Sequence, residues 1–377
     1  MTTIEVVSAY PLNQEFNKKS VIGETKFDWA MALLSIWFVG GIFLDGWAHE
    51  NGKVDSTFFT PWHAVLYSGF GVVAAFIGWV LWRNLSRGLT WQEALPAGYH
   101  LSAWGVVIFG FGGMGDLIWH TLFGIEADLA ALLSPTHLVL AIGAALVAIG
   151  PLNAAWKRTE SSSTWSGWLP ALLSLTFFLS VLGFFTQYAH PTVVPAGISF
   201  THGTAETPSG EAASAATTAE AENNLKEMEI VIQVWGLISI FLQTGILMAF
   251  LLLVVRRWQL PFGSLTWVFT LHTLLMLTQP DHEVFWPVAF VAVLAGLICD
   301  VLLRVLRPTT RPQNFRWFAF AVPVVYYSLY FLCIQLVIGI HWVVHLWTGA
   351  IVMAGIIGLL VSYLVLPPEM PKAAVAL

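Results

Sequence analysis

Long, almost uninterrupted runs of apolar residues constrain this chain more than any other feature of its sequence. A helix needs about 20 consecutive, mostly apolar residues to cross a bilayer, and ten runs approach or exceed that length. They lie at 28–48, 61–82, 99–121, 132–152, 167–189, 230–255, 262–279, 284–306, 316–338 and 341–366. Only 10% of the residues are charged, against about 25% in a soluble domain. The sequence therefore predicts an all-α integral membrane protein with about ten transmembrane helices.

The basic residues predict how these helices are oriented, because short cytoplasmic loops are rich in lysine and arginine. With the N-terminus inside, all 16 lysines and arginines except Lys53 and Lys226 fall in cytoplasmic segments. We therefore predict that both termini are cytoplasmic. Residues 1–27 show no signal-peptide pattern, so we expect the first apolar run to stay in the membrane.

A polar motif occurs twice, each time where an apolar run reaches its predicted external end. Each copy is an aspartate, a histidine four residues later, a loop, and a Pro-x-His sequence that starts the next helix. The six residues are Asp45, His49 and His63 in the unit 45–63, and Asp116, His120 and His137 in the unit 116–137. Residues four apart share one face of a helix, and the next helix can bring the third side chain to that face. The two units predict a site for one or two metal ions; the alternative is polar capping of helix ends.

Other polar residues on the predicted external side are weaker candidates. His341 and His345 are either a metal clip, a helper to the main site or interfacial packing, and Asp281 and His282 are either a second ion site or a solvated turn. We expect His190 to be solvated.

Two further histidines complete the expectations. His202 enters the long external loop and is predicted to be solvated, whereas His272 lies in the middle of an apolar run. A histidine within a membrane span is costly unless it is hydrogen-bonded. We therefore expect His272 to be a hydrogen-bonded histidine of the bundle.

The pattern divides the chain into five segments. They are a cytoplasmic N-terminal segment at 1–27, a four-helix metal-binding region at 28–152, a fifth helix at 153–189, a long acidic external loop at 190–229 and a five-helix C-terminal bundle at 230–377. The end of the acidic loop, at 211–229, is rich in alanine and glutamate and could instead form a surface helix. No nucleotide-binding or nucleic-acid-binding motif is present in the sequence.

Aspartate and histidine without cysteine suit zinc, copper, iron or manganese. Two histidines and one carboxylate hold non-haem iron in oxygen chemistry, and similar ligands hold hydrolytic zinc. Ligand type alone therefore does not choose the metal.

The two units are similar to a known metal-binding segment. The unit 45–63, with its Asp-Gly-Trp-Ala-His and Thr-Pro-Trp-His sequences, resembles the metal-site segment of the C subunit of particulate methane and ammonia monooxygenases. In that family an Asp-x3-His pair is followed after a similar interval by Thr-Pro-x-His. The unit 116–137 resembles that subunit's second metal segment, where an Asn-x3-His pair precedes a Pro-x-His. The resemblance covers roughly residues 40–150.

This resemblance implies copper ligands at Asp45, His49, His63, His120 and His137. Asp116 departs from the family, which has asparagine there, so the second site is more anionic and the metal could be iron or zinc instead. The family also implies a bacterial inner membrane, a metal site on the periplasmic side and partner subunits. The chain lacks the family's cupredoxin-like subunit and carries more helices than the C subunit, so we expect a self-contained relative, a homo-oligomer or one subunit of an assembly.

The function expected from these features is a copper-dependent monooxygenase-like oxidoreductase, or a subunit of one. Its substrates would be O2 and a small apolar or ammonia-like molecule that arrives through the lipid bilayer. Three alternatives remain open from the residues: a metal transport or acquisition protein, a zinc-dependent membrane hydrolase, and a non-catalytic metal-binding assembly subunit.

Overall fold

A computed structural model describes residues 24–53, 59–124, 132–158, 164–197, 215–280 and 285–368. All regular elements within these residues are helices. They are α1 (Glu24–Glu50), α2 (Pro61–Leu85), α3 (His100–Phe123), α4 (Pro135–Ala148), α5 (Gly150–Lys157), α6 (Trp165–Phe185), a 3-10 turn (Gln187–Ala189), α7 (Ala215–Arg257), α8 (Ser264–Met276), α9 (Pro287–Leu306), α10 (Pro312–Val337) and α11 (Val344–Val365). The prediction of an all-α membrane protein is therefore confirmed.

The number of candidate membrane-crossing helices is smaller than the number of apolar runs in the sequence. In the described residues eight helices are long and apolar enough to cross a membrane, and α4 with α5 would form a ninth, bent by 43°. The bend lies beside Pro151, which has no N–H to donate and whose ring disturbs the preceding helical turn. The run 262–279 forms only the short helix α8. The structure thus gives eight or nine candidate spans where the runs predicted about ten.

The segment 190–229 combines loop and helix. Residues 190–197 are a described loop, and α7 begins at Ala215. The stretch 211–229 is thus helical from Ala215 onward, as the first part of the long α7, which continues into a candidate span. The intervening 198–214 lie outside the described residues. His202 falls in that stretch.

Two tightly packed helix pairs carry the repeated motif. Helix α1 packs on α2, and α3 packs on α4. Glycines bring the second pair together, since a Cβ at Gly105 would lie 2.8 Å from the Gly143 carbonyl oxygen, and one at Gly143 would lie 2.6 Å from the Phe109 nitrogen. Small residues are the usual means of close helix packing in a membrane. Contacts between α2 and α3, which join the pairs, are much sparser.

Helix α6 is the most buried of the candidate spans, and its last turn and the following 3-10 turn contact the end of α1. The rings of Phe43 and Phe184 lie 5.3 Å apart with an edge contact, and Gln187 Nε2 donates to Glu50 Oε1 over 3.4 Å. Since Asp45 and His49 lie in the same two turns of α1, this packing fixes the helix end that carries them.

A buried carboxylate fixes the opposite end of α1. The Tyr99 hydroxyl donates to Asp28 Oδ1 over 2.6 Å, and the Arg158 guanidinium donates to Asp28 Oδ2. Asp28 is 3% exposed, so it needs both partners. The ion pair ties α1 to the residue that follows α5, and the tyrosine ties it to the start of α3.

We expect Tyr99→Phe to lower the free energy of unfolding by about 1.5–3 kcal/mol, because a hydrogen bond to a buried charged group is lost. Thermal unfolding of the purified protein in detergent measures this loss. Tyr188→Phe is the matched control, since Tyr188 contacts Trp235 through its ring. Equal stability of the two variants would contradict the role assigned to Tyr99.

Candidate metal centre

The first triad forms where α1 ends and α2 begins. Asp45 and His49 occupy the last two turns of α1. The Thr60 side chain caps α2 by accepting the His63 N–H over 3.1 Å, and Pro61 takes the first helical position. Threonine is a preferred N-cap residue because its hydroxyl can accept a backbone N–H, and proline is preferred at the first helical position because its fixed φ suits a helix. The Thr-Pro-x-His sequence therefore places His63 in the first turn of α2, facing the end of α1.

The geometry of the first triad suits a metal ion. Asp45 Oδ2 lies 3.4 Å from His63 Nε2 and 3.9 Å from His49 Nε2. The candidate ligand atoms all lie within 4.8 Å of one another. Small side-chain adjustments would bring each about 2 Å from one ion, as zinc and similar metals require.

The buried carboxylate of Asp45 lacks a hydrogen-bond donor at one of its oxygens within the described residues. Asp45 is 9% exposed, and its Oδ1 atom is buried with no hydrogen-bond partner among the described residues. Buried carboxylates are strongly disfavoured unless they are paired or coordinate a metal. A cation held between Asp45, His49 and His63 would compensate the buried negative charge, so the residues present fit a metal ion.

The second triad repeats this construction at the end of α3 and the start of α4. Asp116 Oδ1 lies 3.5 Å from His120 Nε2 and 3.6 Å from His137 Nδ1. Ser134 caps α4 by accepting the His137 N–H over 3.4 Å. Its candidate ligand atoms also lie within 4.8 Å of one another, as in the first triad.

Neighbouring groups orient the ligands of the second triad. His120 Nδ1 lies 3.1 Å from the Gly124 carbonyl oxygen, which can only accept, so the ring proton sits on Nδ1 and the Nε2 lone pair faces Asp116. A backbone carbonyl fixes many metal-binding histidines in this way. The Thr136 hydroxyl donates to Asp116 Oδ1 over 3.0 Å. The carboxylate is thereby held in place from the first turn of α4.

The structure brings the six predicted ligands together as two triads that lie near each other. His49 is close enough to His120 and His137 for their charges to interact, and Asp45 is similarly close to Asp116. The six residues lie where α1 and α3 end and where α2 and α4 begin. The caps of α2 and α4 are supplied by Thr60 and Ser134 and not by the six candidate ligands.

Of the four weaker candidates, the structure describes only His341 and His345. Asp281 and His282 lie outside the described residues. His341 precedes α11 and His345 lies in its first turn, so the two are not a helical pair four residues apart. Both are exposed. Within the described residues they join no group of three candidate ligands.

The prediction that His190 is solvated is wrong. His190 is 5% exposed, and its Nε2 lies 3.3 Å from His272 Nε2. His272 Nδ1 lies 3.0 Å from the Ser180 hydroxyl, which confirms the expectation of a hydrogen-bonded bundle histidine. Gly183 leaves room for both rings, since a Cβ there would lie 3.0 Å from the His272 ring. His272 lies more than 80 positions from both of these partners in sequence, so no local sequence pattern could indicate these contacts.

Hydrogen bonding settles the protons of the pair. The Thr192 N–H donates to His190 Nδ1 over 3.2 Å, so a neutral His190 carries its proton on Nε2 and donates it to His272. The His272 proton then sits on Nδ1 and is donated to Ser180. Burial, and secondly His272, lowers the pKa of His190 well below its usual range, which keeps it neutral. With both Nε2 atoms engaged, the pair is a structural link between the loop that follows α6 and α8, and Ser180 extends this link to α6.

We expect Ser180→Ala to lower the free energy of unfolding by about 1–3 kcal/mol, because it leaves the buried His272 Nδ1–H without an acceptor. Ser239→Ala is the matched control: Ser239 is equally buried, but its hydroxyl donates only to Gly236 of its own helix. Detergent unfolding of both variants measures the difference, and an Ser180→Ala protein as stable as the control would refute this assignment.

Comparison with known proteins leaves the two triads as the main evidence on function. No family model, curated protein or solved structure matches the chain. What the structure itself establishes is a multi-pass helical membrane protein with two Asp-His-His groups that could hold metal ions.

Proposed function

We propose that this protein is a membrane metalloprotein that binds copper at the two triads and acts as a monooxygenase-like oxidoreductase, or as a subunit of one. The observation that carries metal binding is the buried Asp45 carboxylate, which faces two imidazoles and has one oxygen without a hydrogen-bond partner. The duplication of the same three side chains in a second triad supports the same reading.

The ligand set supports a redox metal without choosing it alone. Four imidazoles and two carboxylates suit copper, and also iron or zinc. The resemblance of the two units to the particulate monooxygenase segments favours copper. Such an ion would supply the electron exchange with O2 that the protein's own side chains lack.

The position of the triads favours chemistry at the membrane surface over transport. Transport sites usually lie near the middle of the bilayer on broken helices. Here Asp45 and His63 lie in terminal turns of α1 and α2, and the broken α4–α5 pair bends at the far end of α4 from His137. We propose that this end of the bundle faces the periplasm of a bacterial inner membrane.

The helix that carries the second triad also presents an exposed apolar face. Met114, Ile118 and Leu122 on α3 are more than half exposed, and their four-residue spacing puts them on the face of α3 that points away from the buried Asp116. A small apolar molecule dissolved in the bilayer can reach this surface without crossing water. Hydroxylation would convert R–H, O2, two electrons and two protons into R–OH and water, with the electrons supplied by a quinol or a partner protein.

The side chains have defined tasks in this proposal. The carboxylates and imidazoles hold the ions, and Thr136 and the Gly124 carbonyl orient Asp116 and His120. The apolar residues around the triads exclude water. Partner subunits or further copies of the chain would complete an assembly.

We expect the protein purified from its native membrane to contain metal, and Asp45→Ala and Asp116→Ala each to lose about one ion, since each removes the central ligand of one triad. Elemental analysis of both variants measures this. Glu229→Gln, which changes an exposed acidic residue of α7, is the control and should keep its metal. Metal-free wild-type protein would refute the proposal.

We also expect metal-loaded protein with a quinol and a small alkene to consume O2 and to form a product that carries an oxygen atom from O2. Labelling with ¹⁸O2 and mass spectrometry detect this atom, and metal-depleted protein is the control. Turnover that continues without O2 would favour a hydrolase, and metal flux into proteoliposomes would favour transport.

A further inference from the structure

Tyr67 spans the gap between the two triads. It follows His63 by one turn on α2, and the two rings lie 6.1 Å apart. Across the gap, a Cβ at Gly113 would lie 2.8 Å from Tyr67 Cε1 and 3.0 Å from its hydroxyl oxygen. The tyrosine ring therefore rests directly on the bare backbone of α3. Any larger residue at 113 would displace it.

Both ends of this contact lie beneath metal ligands. Residues three or four apart share a helix face, so Tyr67 lies under His63, and Gly113 lies under Asp116. The Tyr67 phenol is close enough to interact electrostatically with both Asp45 and Asp116. The ring thus forms a floor common to the two triads.

Helix α2 packs mainly on α1, and α3 mainly on α4, so each contact between the two pairs matters. One turn deeper, Phe70 packs on the Phe109 ring of α3 with the centroids 4.7 Å apart. It leaves space over the α3 backbone, however, since a Cβ at Gly110 would lie 3.6 Å from its Cζ atom. This is ordinary van der Waals distance, so an alanine fits at 110 but not at 113.

From this placement we infer that Tyr67 is a positioning residue shared by both triads, and that it transmits changes in one helix pair to the metal site of the other. The inference rests on the proposed metal binding. It yields an unusual consequence: a substitution at Gly113, on the helix of the second triad, disturbs the first triad. A purely local packing role for Tyr67 does not predict that effect.

The test uses Cu²⁺ as the probe and the full chain in detergent. In an Asp116→Ala background only the first triad binds, so its affinity is measured alone by titration and by the Cu²⁺ electron paramagnetic resonance spectrum. We expect Gly113→Ala to weaken this affinity about tenfold or more, as loss of an orienting neighbour does. Gly110→Ala, on the same helix, should change it less than about threefold. Equal effects of the two substitutions would overturn the inference.

A second pair of variants keeps the test decisive if Gly113→Ala fails to fold. Tyr67→Leu introduces no clash, and we expect it to weaken Cu²⁺ binding in both the Asp116→Ala and the Asp45→Ala backgrounds. Phe70→Leu is the matched control and should weaken neither. A Tyr67→Leu effect confined to one triad would also overturn the inference. Absence of Cu²⁺ binding in the wild type would instead defeat the proposed function, together with this inference.

Discussion

A buried carboxylate in an apolar bundle must find donors or a cation, and this constraint shapes both ends of the molecule. Among the residues that the structure describes, the aspartates with less than a tenth of their surface exposed are Asp28, Asp45, Asp116 and Asp300. Asp28 is met by a phenol and a guanidinium, and Asp300 by two backbone N–H groups and a hydroxyl at the start of α8. These two complete the fold with the chain's own groups. Asp45 and Asp116 instead lie beside imidazoles at 3.4 to 3.9 Å.

The two aspartates of the triads differ in their hydrogen bonds. Asp116 accepts one hydroxyl, from Thr136, whereas Asp45 has an oxygen with no partner in the described residues. Neutral imidazoles can donate only one proton each, so they do not replace the solvation that a carboxylate loses on burial. The cation that we propose for each triad would compensate this loss of solvation.

The sequence predicted the triads well because their geometry is local. The Asp-x3-His spacing fixes two ligands on one helix face, and the Thr-Pro or Ser-Pro start fixes the third in the first turn of the next helix. The helix pairs then close because glycines such as Gly105 and Gly143 permit it. The first two steps depend on residues close together in sequence, and the third joins helices that follow one another along the chain.

The sequence-based predictions failed where contacts between residues distant in sequence, or the end of a helix, determine the structure. His190 has the polar neighbours of a loop, but the loop folds back on the bundle, where the Tyr330 hydroxyl donates to the Pro191 carbonyl oxygen. No local pattern reports this contact across more than a hundred positions. Likewise the run 262–279 is apolar enough to suggest a span, yet α8 starts after Gly263, with φ 92°, and ends at Met276. Hydropathy records composition, and it does not record where a helix stops.

On the proposed metal binding, Asp116 gives the second triad a charge that the asparagine of the particulate monooxygenase segment would not. With neutral imidazoles, each triad contributes one negative charge, so a divalent ion leaves each site with a net positive charge. Two such sites repel each other, and the repulsion is larger in a low-dielectric bundle than in water. An asparagine at 116 would leave the second ion's charge uncompensated beside the first. In the proposed two-ion site, the carboxylate of Asp116 would reduce that repulsion, and together with Asp45 it would make occupancy of both triads electrostatically easier.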